Sequence, residues 1–182
     1  AAGKLLVIAA GNRGVANPDW PARYAKEAWA NGQVIAVGAV DAANQIAAFS
    51  NRAGDTRQFF LVAPGVNIAG ASSQGTSGWI TGSGTSLAAP LVSAGAALIQ
   101  TQWPYLSATQ VANILFSTAT DLGAPGVDEI YGRGKIDIAR ALQPAGQTVV
   151  PLASGRAVPL STASLDAGLV AGPALRAASQ AG

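Results

Sequence analysis

The chain has 182 residues and a formal net charge of +2; 49% of its residues are hydrophobic and 11% are charged. These proportions are typical of a folded domain with a hydrophobic core and exclude an intrinsically disordered chain. The lysines and arginines are scattered and form no run, so nucleic acid is not an expected partner. Cysteine is absent, which excludes disulfides and thiol chemistry, and no apolar stretch approaches the roughly 18 residues needed to cross a bilayer.

The first predicted element is a buried strand over residues 5–10, which leads into small residues and an amide, Asn12. Continuous apolar runs of this length are typical of parallel strands that are buried on both faces. Ligands of open α/β sheets bind at the carboxyl ends of such strands. Asn12 is therefore either a turn residue or a hydrogen-bond donor aimed at developing negative charge.

The next predicted elements are a short helix over Arg23–Ala30 and two further buried strands, over residues 33–38 and 59–63. A turn at Pro64-Gly65 ends the third strand. The large aromatic side chains near the short helix are interpreted as packing residues and not as a binding platform. They are Trp20, Tyr24 and Trp29.

The stretch from Thr81 to Pro90 leads into a long apolar helix, which is predicted over Ser86–Trp103. Pro90 near the beginning of this helix costs little, because the first N–H groups of a helix have no partner. Ser86 then lies at or beside the N-cap. Two interpretations of Ser86 stay open: a helix cap, for which serine is a preferred residue, or a nucleophile, which needs a neighbouring base.

Two more helices are predicted towards the end of the chain. A capping box at Ser107–Gln110 begins a helix that runs through Phe116, and a last short helix covers Ile136–Leu142. The sequence after this point is rich in proline and glycine, has no aromatic residue and contains few charges, so it buries little area. The sequence therefore predicts a domain over residues 1–142 and a linker or extended arm over residues 143–182.

Four segments of the chain together resemble the subtilisin-like serine proteases, the subtilase family, and they occur in the order of that family. The segment with the serine is among the most specific motifs of any protease family. A later segment resembles the turn that precedes the last helix of the family, and the resemblance covers about residues 4–142. The four segments are Ala9–Asn12, Val34–Asp41, Ala63–Val66 and Gly84–Pro90, and the later one is Tyr131–Asp137.

The resemblance implies an α/β fold with a parallel sheet, and it assigns roles to individual residues. Ser86 corresponds to the nucleophile and Asn12 to the side-chain donor of the oxyanion hole, with the Ser86 backbone N–H as the second donor. The residues just before Asn12 correspond to one wall of the pocket for the residue that precedes the cleaved bond. The expected substrate-binding residues are Ala9, Ala10, Gly11, Gly84 and Thr85.

The sequence departs from the family pattern at its start. Subtilases carry their catalytic Asp and His upstream of the oxyanion asparagine, whereas this chain begins eleven residues before Asn12 and contains no histidine. Its first aspartates, Asp19, Asp41 and Asp55, all follow Asn12 and are on the wrong side of the family order. We therefore expect an incomplete catalytic domain, with Asp and His supplied by an upstream segment of the same protease, and we expect this chain alone to be inactive.

The expected function of the complete protein is hydrolysis of peptide bonds in polypeptide substrates, through an acyl-enzyme on Ser86. The alternative is a binding or scaffolding protein that kept the fold without catalysis. An α/β-hydrolase esterase is disfavoured, because no Gly-x-Ser-x-Gly surrounds any serine. No cofactor or metal is expected from the residues, and calcium is implied by the family alone. The alanine-rich, lysine-poor composition resembles the subtilase autotransporters of Gram-negative bacteria, which implies a secreted or cell-surface protein.

Overall fold

A three-stranded parallel sheet lies at the centre of the structure, a computed structural model that describes residues 3–72, 78–143, 149–151 and 157–159. The strands are β1 (Leu6–Ala9), β2 (Val34–Val40) and β3 (Phe60–Pro64), in the order β1-β2-β3. The predicted strands are within two residues of these bounds. The expectation that the first strand is buried is wrong, because Leu6 is exposed and the rest of β1 is half-buried, whereas β2 is fully buried. With the helices described below, this sheet confirms the α/β fold class.

Both faces of β2 are buried, and its side chains alternate between them. Odd-numbered residues such as Val37 contribute to a hydrophobic core on one face, and even-numbered residues such as Ala36 contribute to a second core on the other. A Cβ atom on Gly38 would lie 2.7 Å from the Phe60 Cζ atom. The glycine therefore leaves room for the Phe60 ring beneath the strand.

Three α-helices lie among the described residues: α1 (Thr85–Gln102), α2 (Ala108–Thr118) and α3 (Ile138–Ala141). The apolar side of α1 joins the first core and packs against all three strands. The Gln110 N–H donates to Ser107 Oγ at 3.3 Å, and the Ser107 N–H donates to Gln110 Oε1 at 2.8 Å. These two bonds confirm the predicted capping box at the start of α2.

The start of α1 differs from the prediction. Gly84 is the N-cap, so Ser86 is the second residue of the helix and Pro90 the sixth. Pro90 therefore lies beyond the first turn of the helix. A proline costs little only within that first turn. Its missing N–H is the one that would bond the Ser86 carbonyl, because helical N–H groups bond the carbonyl four residues earlier.

The predicted helix over Arg23–Ala30 is wrong. The structure has two short 3₁₀ helices there, Ala22–Lys26 and Ala28–Ala30. Between them Glu27 has an extended backbone, with φ −74° and ψ 137°. The chain therefore cannot form one continuous α-helix across this segment.

The aromatic residues of this segment do not pack into the core. Trp20, Tyr24 and Trp29 are 55%, 42% and 59% exposed. They contact one another instead, with ring centroids 4.6 Å and 5.2 Å apart and ring planes tilted by 54° and 58°. They are therefore packing residues only in the sense that they pack against one another at the surface.

An antiparallel pair of strands, β4 (Ile68–Ala71) and β5 (Trp79–Gly82), precedes α1. Contacts divide the chain into two compact units, Ala1–Pro144 and Ala145–Gly182. In the second unit the structure describes the backbone of two antiparallel strands, β6 (Val149–Pro151) and β7 (Ala157–Pro159). The predicted arm over residues 143–182 otherwise lies almost entirely outside the described residues and stays a prediction.

Candidate active site

The carboxyl ends of the strands meet the N-terminus of α1. After β1, the Ala10 N–H donates to the Val37 carbonyl at 2.8 Å, and after β3 the Gly65 N–H donates to the Val40 carbonyl at 3.0 Å. The Gly84 N–H then donates to the Gly65 carbonyl at 2.8 Å. A Cβ atom on Gly65 would lie 2.9 Å from the Gly84 carbonyl oxygen, so this close approach depends on the glycine.

Ser86 and Asn12 lie beside one small space in front of Gly84. A Cβ atom built on Gly84 would be 3.2 Å from Ser86 Oγ and 3.5 Å from Asn12 Nδ2. Both side chains are exposed. The fold thus brings a hydroxyl and an amide donor together although they are 74 positions apart in the chain, at residues 12 and 86.

Thr85 holds the Asn12 side chain in one orientation. The Thr85 backbone N–H and its Oγ1 hydroxyl both donate to Asn12 Oδ1, each at 2.9 Å. Thr85 Oγ1 accepts the Gly11 N–H at 3.2 Å, and Thr85 is only 1% exposed. Because Oδ1 is occupied by two donors, the amide presents Nδ2 to the space beside Ser86. We call Gly11, Asn12 and Thr85 the Asn12 corner.

Asn51 supports the loop behind this corner and was not identified from the sequence. It is fully buried, and its Nδ2 donates to the Ala10 carbonyl at 2.9 Å. Its Oδ1 accepts the backbone N–H groups of Arg13 and Val15 at 3.0 Å and 3.3 Å. Its own N–H donates to the Gly11 carbonyl at 3.0 Å. One buried side chain therefore satisfies the polar groups of a loop that has no regular structure.

A charged pair lies on the other side of Gly11. The guanidinium of Arg13 donates to both carboxylate oxygens of Asp19, and the longer bond, from Nε to Oδ2, is 3.2 Å. The hydrogen bond from Arg13 outweighs partial desolvation and holds the pKa of Asp19 below its ordinary value. Asp19 therefore carries its negative charge at neutral pH.

The sequence profile of the subtilases matches residues 1–134, which is most of the chain. The chain belongs to the subtilase family. This subtilase is 39% identical to subtilisin DY of Bacillus licheniformis over 147 residues, which are 79% of the chain and 48% of the relative. It therefore spans about half the length of that subtilisin.

Two longer relatives are also similar to this subtilase. It is 37% identical over 146 residues to serotype-specific antigen 1 of Mannheimia haemolytica, covering 76% of the chain and 16% of the relative. It is 31% identical over 163 residues to an extracellular serine protease of Serratia marcescens, covering 77% of the chain and 16% of the relative. Among solved structures, the self-cleaved protease domain of PatA aligns with a TM-score of 0.63 and 32% identity, over 77% of this chain and 49% of that one.

The residues that the sequence predicts as substrate-binding have different surroundings in this subtilase. Ala9 and Gly11 are half-buried, whereas Ala10 is fully buried and carries hydrogen bonds of the loop on its carbonyl. Gly84 is buried beneath Ser86. The Thr85 side chain is buried and donates to Asn12 Oδ1, so it contacts Asn12 and not solvent. The roles of these residues in binding substrate stay predictions.

Neither a metal centre nor a membrane span is found in the parts of the subtilase that the structure describes. No three or more acidic, histidine or cysteine side chains are grouped as metal ligands within residues 3–72 and 78–143. No helix among the described residues is both long and apolar enough to cross a bilayer. The expectation of calcium by family analogy stays untested.

Proposed function

We propose that this subtilase supplies the nucleophile and the oxyanion donors of a serine endopeptidase. One observation carries the proposal: Ser86 Oγ and Asn12 Nδ2 flank the same space, and the other end of the Asn12 amide is already occupied. Acyl transfer at serine needs both groups, one to attack the carbonyl carbon and one to meet the oxygen that becomes negative.

In this mechanism Ser86 Oγ attacks the peptide carbonyl, and the carbonyl oxygen becomes an oxyanion. Asn12 Nδ2 donates to that oxyanion, and the Ser86 N–H is the second donor. This N–H belongs to the first turn of α1, where the helix provides no carbonyl partner and where its dipole favours negative charge. Since Thr85 fixes the amide before substrate arrives, little reorganisation is needed in the transition state.

The general base is proposed to come from a segment upstream of residue 1. The chain has no histidine, and it spans 48% of subtilisin DY, which supports a catalytic domain that continues beyond the chain. That segment would supply the Asp and His of the triad, and His would take the Ser86 proton. The chain alone is therefore proposed to be inactive.

The proposed substrates are polypeptides, with Ala9, Ala10 and Gly11 on one side of the pocket for the residue before the cleaved bond. The location is proposed to be outside the cytoplasm, either secreted or at the cell surface. The word extracellular in the name of the Serratia relative supports this location. More specifically, the complete protein is proposed to be an autotransporter.

Labelling with a fluorophosphonate tests the proposed chemistry, because this probe reacts only with an activated serine. The full-length protein, including everything encoded upstream of residue 1, is expected to be labelled at Ser86 and to cleave a casein substrate. Ser86→Ala is expected to abolish both. Ser93→Ala is the matched control, since Ser93 lies two turns further along α1 and its hydroxyl donates to the Ala89 carbonyl.

Three other outcomes would each contradict a different part of this proposal. A folded full-length protein that is neither labelled nor active would support the scaffolding alternative. Labelling that persists in Ser86→Ala would place the nucleophile elsewhere. Labelling of Ser86 in the isolated chain of 182 residues would show that the base is already present in this chain and would refute the upstream base.

A further inference from the structure

The backbone on both sides of Asn12 is held by one residue, the fully buried Asn51. Before Asn12, Asn51 Nδ2 donates to the Ala10 carbonyl at 2.9 Å, and the Asn51 N–H donates to the Gly11 carbonyl at 3.0 Å. After Asn12, Asn51 Oδ1 accepts the Arg13 N–H at 3.0 Å. The peptide groups that carry Asn12 are therefore tied to a single side chain.

The same side chain packs directly against Gly11. A Cβ atom on Gly11 would lie 2.5 Å from Asn51 Nδ2 and 2.3 Å from Asp19 Oδ2, so the two polar groups fill the place of a side chain. Gly11 has a φ of 106°, a conformation that favours glycine. The last peptide before Asn12 is thus fixed by close packing as well as by hydrogen bonds.

Asn51 is itself anchored to the central sheet. The neighbouring Ser50 is also fully buried, and its Oγ accepts the Ala39 N–H of β2 at 3.0 Å. The same hydroxyl donates to the Asn51 carbonyl at 3.0 Å. The loop after β1 is therefore held at a fixed place relative to β2, because Asn51 links the two.

Asn51 and Thr85 act on different parts of Asn12. Thr85 bonds the Oδ1 atom and so sets the direction of the amide, whereas Asn51 fixes the backbone from which that side chain starts. A displacement of about 1 Å at a reacting centre can lower a rate roughly 100-fold. Orientation of the amide alone is therefore insufficient if its backbone moves.

Resting on the proposed function, we propose that Asn51 is a positioning residue that places Asn12 Nδ2 where the oxyanion forms. Without the Asn51 side chain, the N–H groups of Arg13 and Val15 lose their acceptor, and the loop adopts positions in which the amide misses the oxyanion. The loss appears in kcat, because the amide meets the oxygen mainly in the transition state.

The test is a double-mutant cycle on the full-length protein with one peptide substrate. Asn51→Ala is expected to lower kcat roughly 10- to 100-fold with little change in KM. In an Asn12→Ala background the same change is expected to lower kcat by less than about threefold, because the donor that Asn51 positions is already absent. Asn113→Ala, at an exposed residue of α2, is the matched control in both backgrounds.

A second variant covers the case in which Asn51→Ala does not fold. The hydroxyl of Asn51→Ser ends one bond short of the asparagine oxygen and nitrogen, so it cannot replace the contacts on both sides of Asn12. The same loss in kcat and the same dependence on Asn12 are expected for it. Thermal unfolding identifies the variants that are folded at the assay temperature.

The outcomes separate this proposal from the one on which it rests. Cleavage that depends on Ser86 but has the same kcat in the folded Asn51 variants would overturn the role of Asn51 and leave the protease function intact. An equal loss of kcat with and without Asn12 would also overturn it, because Asn51 would then act on the fold as a whole. A raised KM with unchanged kcat would overturn it in favour of substrate binding. Absence of any cleavage that depends on Ser86 would refute the protease function, and this role with it.

Discussion

The Asn12 corner and the ion pair between Arg13 and Asp19 both lie beside Gly11 and are held together in different ways. In the corner, a buried threonine fixes the Asn12 amide by two hydrogen bonds of 2.9 Å. In the ion pair, the exposed guanidinium of Arg13 donates to the carboxylate of the half-buried Asp19. Buried bonds fix a geometry, whereas exposed pairs exchange partners at little cost. The corner therefore keeps the fixed geometry that a transition state needs, whereas the geometry of the ion pair is held less firmly.

Removal of the Asn12 donor tests the corner most directly. Asn12→Ala is expected to lower kcat of the full-length protein by roughly 10²–10³ with little change in KM, which is the range found when a subtilisin loses such a donor. The amide meets the oxygen mainly when it is charged, so the loss appears in the transition state. Kinetics on one peptide measure it, with Asn113→Ala on α2 as an exposed control. A raised KM with unchanged kcat would assign Asn12 to substrate binding.

The buried support of the corner is tested by Asn51→Ala. This change removes the Asn51 acceptor from the N–H groups of Arg13 and Val15. It also removes one of the two donors to the Ala10 carbonyl, which keeps the Asp19 N–H. The free energy of unfolding is expected to fall by about 2–3 kcal/mol. Urea unfolding of the full-length protein measures it, again against Asn113→Ala. A variant as stable as the control would show that water replaces the Asn51 side chain without loss.

Thr85 is tested by its two conservative substitutions. Thr85→Val removes the hydroxyl that donates to Asn12 and keeps the bond from the Thr85 N–H. The loss of one of these two hydrogen bonds is expected to lower kcat by roughly tenfold. Thr85→Ser keeps the hydroxyl and is expected to restore most of the rate. The comparison of kcat with KM for both variants is the measurement. A loss of rate in the serine variant with none in the valine variant would indicate that the methyl group, and not the hydroxyl, supports the site.

The smallest effect is expected at an exposed ion pair outside the corner. Burial alone would raise the pKa of Asp55, but hydrogen bonds from Lys26 and Arg23 outweigh it, so the pKa is below its ordinary value. The folded pKa is then lower than the unfolded pKa of about 3.9, and the stabilisation is present above pH 4 and lost as the pH falls through the folded pKa.

Asp55→Asn should therefore lower the unfolding midpoint of the full-length protein slightly at pH 7 and by less at pH 2.5. Thermal unfolding at the two pH values measures this difference. The change is expected to be small, because the Asp55 side chain is 37% exposed and such pairs contribute little. An equal change at both pH values would mean that Asp55 acts by packing and not by its charge.

The sequence predicts the sheet of this subtilase more reliably than the segments around it. The bounds of β1, β2 and β3 follow from apolar runs, because such a run can be recognised from its own residues. The burial of β1 does not follow, since it depends on which elements cover that strand. The sequence predicts one helix over Arg23–Ala30, but the extended backbone of Glu27 separates two 3₁₀ helices there. Propensity alone does not identify a single residue at which a helix is interrupted.

The candidate site was predicted in part. The motifs predict that Ser86 and Asn12 belong to one site, and the structure brings the two side chains together. The hydrogen bonds from Thr85 to Asn12 and the support from Asn51 do not follow from the sequence. The contacts of these two residues join positions that are 36 to 74 residues apart. A serine and an asparagine in short motifs can be recognised locally, but the partner of a side chain depends on which loops the fold brings together.

The separation of Asn12 and Thr85 by 73 positions also sets the time at which the site can form. At a synthesis rate of about 5–20 residues per second, the ribosome completes Asn12 roughly 4–15 s before it reaches Thr85. During that interval the loop after β1 has no threonine to orient its amide and no serine beside it. The nascent chain therefore holds no donor and nucleophile in register until α1 has been made and has docked on the sheet.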